Sequence, residues 1–368
     1  VGAGNQHRFG RHCLFPLRRF TMSDFVRNSW YLAAWAKEVP DAGFLARRLL
    51  DEPWLIMHTA EGWVMLADGC PHRFVPLSRG RRVGDTIACG YHGLRFGADG
   101  SCVFSPFGKA VPPETRVAAR PLVERHGGLW FWPGDGALAD PALIPDFSFI
   151  DDVRDARDHL VMNVNYELIS DNLLDLSHAE FLHTETFGVN GALFEFGKQT
   201  VETGPDGALW NKWDMDGSRP PEWAVPMVGV GGAVDQWLHI RWHAPASLAL
   251  FIGMARAGTE RHEPLMPQMA NPHILTPSSA TESHYFFTRE HGEEAAAMAR
   301  KVFLEEDEPM IRAQQDAMAG RDFWSMRPVI LPSDAAAIRA RRRLMQMRRE
   351  EAATDDTGAL LEGTSGQQ

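Results

Sequence analysis

Two cysteines and two histidines occupy two short, similar segments: Cys70-Pro-His72, then sixteen residues, then Cys89-Gly-Tyr-His92. Paired Cys and His at such spacing read as a metal site. Structural zinc commonly uses a C-x2-4-C pair followed by more widely spaced histidines. Here each segment offers one thiolate and one imidazole. That suits a two-iron, two-sulfur cluster in which one iron takes both thiolates and the other both imidazoles. Neutral imidazoles leave such a cluster less negative and raise its potential, which suits an electron relay. Gly69, Gly90 and Gly93 flank the segments and are expected to let backbone approach the cluster sulfurs. A zinc site is the alternative.

A second group follows in DNLLDLSHAEFLH. His178 and His183 are five residues apart, with Asp175 three before the first. Five residues on a regular helix turn through roughly 140°, so two histidines that share one metal need the helix to bulge or break near Ala179 to Leu182. A π-bulge would serve. Two histidines and one carboxylate leave open positions for dioxygen on a non-haem iron. Asp175 stands too close to His178 to be the obvious third ligand, and the run Glu305-Glu306-Asp307-Glu308 is the leading source. By themselves, two histidines on an amphipathic helix are more often ordinary surface or core residues, and an acidic run is more often a solvated face.

The elements that must hold these groups fall into two parts. From Phe25 to Pro133, short strands alternate with turns: ARRLL, WLIMHT and WVMLAD form a meander, and hairpins turn at Ala98-Asp99-Gly100 and His126-Gly127-Gly128. Beyond a boundary from Pro133 to Pro145, Tyr166 to Glu185 reads as helix. Trp237 to Ala255 and His284 to Thr288 read as strands, Glu293 to Met318 as a long helix, and Ser333 as the cap of a last helix ending near Ala352.

The chain has 368 residues, 44% of them hydrophobic and 23% charged, with a net charge of −11. This fits a globular protein of two domains and makes a poor nucleic-acid binder, although an electron-transfer partner could use the charge. No apolar run reaches a bilayer-spanning length, and four cysteines are too few and scattered for a disulfide framework. A bacterial cytoplasm is the expected setting. Residues 1–21, arginine-rich and without an acid, superficially resemble a transit peptide; the simpler expectation is a start assigned too far upstream, with Met22 the true beginning. Residues 354–368 are expected to fray. The expected division is 22–139 and 140–353. Cys13 and Cys102 receive no role.

These motifs resemble the Rieske non-haem iron oxygenases, and specifically the vanillate O-demethylase and dicamba monooxygenase branch. The resemblance runs from Phe25 to about Ala352 through FVRNSWYLAAW, CPHRFVPLS, CGYHGLRF, LWFWPGD, IPDF, DNLLDLSHAEFLH, HILTP, HYFF and EEDEPMIRAQQ. It implies an α+β architecture: an N-terminal all-β Rieske domain, then a helix-grip catalytic domain with an antiparallel sheet curved around helices. It makes Cys70 and Cys89 ligands of one cluster iron and His72 and His92 ligands of the other. His178, His183 and Asp307 become ligands of a mononuclear Fe(II). It further implies a head-to-tail homotrimer in which Asp175 bridges His178 to His92 of the partner subunit, steadied by Asn172.

No dinucleotide fingerprint and no four-cysteine ferredoxin run occurs, so electrons from NAD(P)H must arrive through a separate reductase, a ferredoxin, or both. The implied reaction uses dioxygen to hydroxylate a carbon next to oxygen or nitrogen, after which a hemiacetal or carbinolamine collapses to an aldehyde. Ring hydroxylation without dealkylation is the alternative, and a non-enzymatic electron-transfer protein a remote third. By alignment with the branch, Ala249, Phe251 and Met298 form an apolar pocket wall, and His273 is a candidate donor to substrate. The substrate expected is a small, neutral aromatic ether, amide or anilide. For His273, a strand histidine satisfied by its neighbours is an equal reading.

Overall fold

The structure, a computed structural model, describes residues 24–108, 111–153, 156–186, 191–221, 224–259, 264–290 and 292–364. Residues 1–23, Cys13 among them, and the last four residues lie outside them.

The N-terminal part is all β. Strands β1 (Tyr31–Trp35), β2 (Leu45–Leu49), β3 (Glu52–Thr59), β4 (Gly62–Ala67), β5 (Arg81–Val83), β6 (Thr86–Ala88), β7 (Arg95–Phe96), β8 (Cys102–Phe104), β9 (Leu122–Arg125) and β10 (Gly128–Phe131) make three small antiparallel sheets. The expected meander is β2–β3–β4, and both hairpins are present. In the second, Arg125 pairs with Gly128, and His126 and Gly127 both have positive φ, 55° and 67°. That is the two-residue turn whose twist matches its strands.

The C-terminal part is one seven-stranded antiparallel sheet, ordered β11-β17-β16-β15-β14-β13-β12. Its strands are β11 (Arg157–Met162), β12 (Gly197–Thr203), β13 (Leu209–Ser218), β14 (Val234–His243), β15 (Ser247–Arg256), β16 (Met269–Ser279) and β17 (Glu282–Thr288). Helices α1 (Tyr166–Leu174), α2 (Ala179–Leu182), α3 (Ala192–Phe196), α4 (Val225–Val228), α5 (Glu293–Arg300), α6 (Glu308–Met318) and α7 (Ala335–Thr364) complete it. Helix α7 continues past the expected end at Ala352, through residues expected to fray. Its approach is a 3-10 turn, and Asp334, not Ser333, accepts the Leu331 N–H there at 2.6 Å.

Alternation along the strands gives the large sheet two buried faces. Leu209, Ile240, Leu248, Leu275, Tyr285 and Phe287 join one core with Leu173 and Leu174 of α1 and Leu344 of α7. Ala249, Ile274 and Phe286 join the other, with Trp30, Trp130 and Phe147. One face carries the helices and the other is covered by the N-terminal part, which also sends Tyr31, Leu49, Leu50 and Phe131 into the first core. Thr276 Oγ1 donates across the second junction to Leu32 O at 2.7 Å.

Candidate metal centres

The two cluster segments are parallel constructions. Phe74 N donates to Cys70 O at 2.8 Å, and Gly93 N donates to Cys89 O at 3.1 Å, closing one tight loop over each cysteine. Both closing residues have positive φ, 59° at Phe74 and 73° at Gly93, a conformation that glycine adopts without strain. At Gly90 a Cβ would lie 2.6 Å from Arg79 O, so this glycine serves loop-to-loop packing rather than an approach to sulfur. Cys70 and Cys89 are buried, whereas His72 is exposed and His92 half-buried. The two imidazoles stand together, ring centroids 4.6 Å apart. Burial pushes the Cys70 thiol up, and the adjacent Cys89 thiol adds to it while the His72 backbone N–H works the other way. Buried thiols and more exposed imidazoles match the donor set of a cluster whose two irons would take unlike ligands.

The second centre is assembled by a broken helix. Helix α1 ends at Leu174, because Asp175 adopts φ −111° and ψ 85°. Asp175 Oδ1 then accepts from Ser177 N and Oγ at 3.1 and 2.6 Å, starting a 3-10 turn over Leu176–His178. Four helical residues follow, and His183 is their C-cap. The break expected between the histidines thus lies mainly before them, as a 3-10 turn without a π-bulge. The π turn is instead at Lys301–Asp307, leading into α6 and carrying the acidic run.

His178, His183 and Asp307 bring ligand atoms within 4.8 Å of one another. Asp307 Oδ1 lies 3.6 Å from His178 Nε2 and 3.3 Å from His183 Nε2. Both Nδ1 atoms are occupied elsewhere: His178 donates to Asp175 O at 2.5 Å and His183 to Glu306 Oε2 at 2.7 Å. This leaves both Nε2 lone pairs for a metal. Burial lowers the proton affinity of His183, but the Asp307 and Glu306 carboxylates outweigh it and raise the value. The same negative field favours a bound cation.

Each acid of the run has a different place. Asp307 faces the histidines, Glu306 backs His183, Glu308 Oε1 accepts from Asn163 N and Nδ2 at 3.1 and 3.0 Å, and Glu305 is exposed. Asn172 Nδ2 donates to Asp307 Oδ1 at 3.3 Å. The Asp175 carboxylate does not reach His178; its backbone carbonyl does. Sequence reasoning missed Asn211, which is fully buried and whose Nδ2 donates 2.7 Å to Leu174 O, a carbonyl left over by the helix break. A lone Asn in a strand gives no signal of this.

Three expected pocket residues need correction. Ala249 and Phe251 project from β15 toward Trp130, Phe147 and Phe149, on the face opposite His178, His183 and Asp307. Strand alternation places Leu248 and Leu250 on the metal side instead. Met298 is 44% exposed, and Ala299, Phe303 and Leu304 turn toward the core in its stead. His273 is on the metal side. Its Nδ1 pairs with Tyr285 Oη at 2.6 Å, its ring meets Phe303 edge-on at 6.0 Å, and its Nε2 is buried with no partner.

Residues 29–115 match the Rieske [2Fe-2S] domain, and residues 162–350 match the vanillate O-demethylase oxygenase C-terminal domain. The chain belongs to the Rieske non-haem iron oxygenases of the vanillate O-demethylase branch. This oxygenase is 34% identical over 334 residues to the oxygenase component of chloroacetanilide N-alkylformylase from Rhizorhabdus wittichii, covering 87% of this chain and 94% of that one. It is 35% identical over 343 residues to the oxygenase component of dicamba O-demethylase from Stenotrophomonas maltophilia, covering 89% and 99%. The crystal structure of dicamba monooxygenase bound to dicamba superposes with a TM-score of 0.76 at 34% identity, covering 89% and 99%. The oxygenase is therefore an oxidoreductase with a Rieske [2Fe-2S] cluster and a mononuclear non-haem iron, and one component of a multicomponent system. Both donor sets described above fit those groups. No helix among the described residues is long and apolar enough to cross a membrane.

Proposed function

We propose that this oxygenase oxidatively dealkylates a small, neutral aromatic compound at an O- or N-alkyl group, with release of an aldehyde. When bound, the cluster would supply single electrons and the iron would activate dioxygen. Cys70, Cys89, His72 and His92 would hold the first, and His178, His183 and Asp307 the second. Asn172 would keep the Asp307 carboxylate turned toward the histidines.

The observation that carries the substrate reading is the unpartnered Nε2 of His273. If Tyr285 donates to Nδ1, the phenol is satisfied and Nε2 bears the proton. If Nδ1 donates instead, the phenol O–H and the Nε2 lone pair are both stranded. The first arrangement leaves one orphan against two, and each buried orphan costs roughly 1–3 kcal/mol. His273 is then a neutral donor that calls for an acceptor oxygen on the substrate. Burial holds it neutral, with its pKa pushed down to about 4 while Asp307 opposes the shift. His273 meets Tyr285 and Phe303 edge-on, and Phe303 in turn packs tilted against Tyr285 at 4.8 Å and edge-on against Phe287 at 5.1 Å, an aromatic surrounding that suits a ring. The named relatives act on a chloroacetanilide and on dicamba; both offer an acceptor on a ring, and the neutral reading follows the first, since dicamba is an acid.

Head-to-tail assembly into a trimer is part of the same reading. Phe74, Tyr91 and Phe107 are exposed beside His72 and His92. Phe181, three residues after His178, is exposed and packs on exposed Phe194 at 5.6 Å, and Val329, Ile330 and Leu331 are exposed just before Ser333, whose Oγ lies 3.5 Å from Asp175 Oδ2. Two apolar patches at the two metal centres fit an interface between copies. Asp175 Oδ2 would then meet His92 of the partner subunit. Electrons would come from NAD(P)H through a flavin reductase, a ferredoxin or both, in the cytoplasm.

The test is product stoichiometry. Purified oxygenase with a surrogate reductase, given methoxy-aromatics and N-alkyl anilides, should release one aldehyde per substrate consumed. A hydroxylated product that retains its alkyl group would favour ring hydroxylation and overturn the dealkylation reading.

A further inference from the structure

The two histidines of the mononuclear centre are backed by unlike groups. His178 Nδ1 donates to a neutral backbone carbonyl, that of Asp175. His183 Nδ1 donates to a side-chain carboxylate, Glu306 Oε2, at 2.7 Å. The same imidazole is faced on its other nitrogen by Asp307 Oδ1 at 3.3 Å. Two consecutive acids therefore grip one ring from both sides. Adjacent residues of a regular α-helix point roughly 100° apart, and here the π turn at Lys301–Asp307 re-aims that stretch.

Glu306 is itself held. Thr186 Oγ1 donates to the same Oε2 at 2.8 Å, and Lys301 Nζ stands 3.9 Å from Oε1. Its side chain is 13% exposed, so little water competes for it. Glu305, one residue earlier, is exposed and has none of these contacts.

We infer that Glu306 is a positioning residue for the iron: it fixes the His183 tautomer with the lone pair on Nε2 and makes that imidazole the stronger of the two nitrogen donors. A carboxylate on the far nitrogen raises the basicity of a ligating imidazole, and removing such a partner typically lowers metal affinity by roughly 10- to 100-fold. With Asp307, Glu306 also supplies the second negative charge that balances a divalent ion. Thr186 keeps the carboxylate from swinging toward Lys301. The inference rests on His178, His183 and Asp307 being the ligand set.

Metal affinity tests it without turnover. The mononuclear site is emptied by chelation, with the cluster left in place and followed by its visible absorption. Cobalt(II) is then titrated anaerobically into the parent, Glu306→Gln, Glu305→Gln and His183→Ala. Glu306→Gln should bind roughly 10- to 100-fold more weakly, with the cluster spectrum intact and Glu305→Gln within about threefold of the parent. Glu306→Gln within threefold of the parent overturns the inference. So does an equal loss in Glu305→Gln, which would make the effect one of general charge. Parent-like affinity in His183→Ala would instead remove the ligand set beneath it.

Discussion

Replacing Asn211 with leucine should loosen the break on which the iron centre depends. Asn211 lies on β13, facing the helices, and its amide donates 2.7 Å to Leu174 O, where α1 stops. Its Oδ1 accepts from Gln199 Nε2 at 3.0 Å, and that amide also donates to Ser333 O at 3.1 Å. Leucine keeps the volume and the strand but deletes both polar atoms. The Leu174 carbonyl is then buried without a partner, at about 1–3 kcal/mol, and the lost Gln199 bond adds about 0.5–1.5 kcal/mol. The expected sum is about 1.5–4.5 kcal/mol. Relief is available if α1 extends through Asp175, which would carry His178 away from Asp307. Urea unfolding followed by tryptophan fluorescence should show the loss, and cobalt(II) titration should show weaker binding in the same variant. A leucine variant within about 0.5 kcal/mol of the parent and with unchanged metal affinity would refute the reasoning. The Asp175–Ser177 cap would then suffice alone.

Asp175→Asn should retain both metals, read as iron content and visible spectrum, yet lose most turnover by slowing cluster reoxidation in a single-turnover experiment; full activity with ordinary electron uptake would sink the bridging role. Acid should destabilise the fold through His273 and His284, both pushed down to about 4, chiefly by burial, from an ordinary value of 6.5. Each is neutral when folded and takes up a proton when unfolded, so the stabilising contribution is full above about pH 6.5 and drains as pH falls toward 4. Every tenfold difference in proton affinity between the folded and unfolded chain is worth about 1.4 kcal/mol. The urea midpoint should therefore drop between pH 7.5 and 5.5, and His273→Gln should flatten that dependence.

The candidate cluster donors were legible because their chemistry is local. Each short loop brings its own cysteine and histidine, and the ligand types nearly name the metal. The strands around them were legible for the same reason, since alternation and two-residue turns are encoded within a few positions. At the second centre, residue types and spacing indicated the histidines, and resemblance to the branch singled out Asp307 from its acidic run. Why Asp307 rather than Glu306 or Glu308 faces the histidines required the π turn. Ala249 and Phe251 went wrong by one step of alternation. Alignment placed the strand correctly but did not say which of its faces the helices cover.

The sequence by itself indicated two candidate metal centres, a compact set of donors for one of them, and the order of a β domain before a mixed domain. These follow from short-range patterns in which the residues that act together are neighbours in the chain. Only the tertiary structure decided how the second centre is held. Asn211 reaches Leu174 from 37 positions away, and Glu306 reaches His183 from 123. Such partners are chosen by where a strand and a helix come to rest. A buried polar atom must find a partner within hydrogen-bond reach, and proximity of that kind leaves no period or motif in the chain.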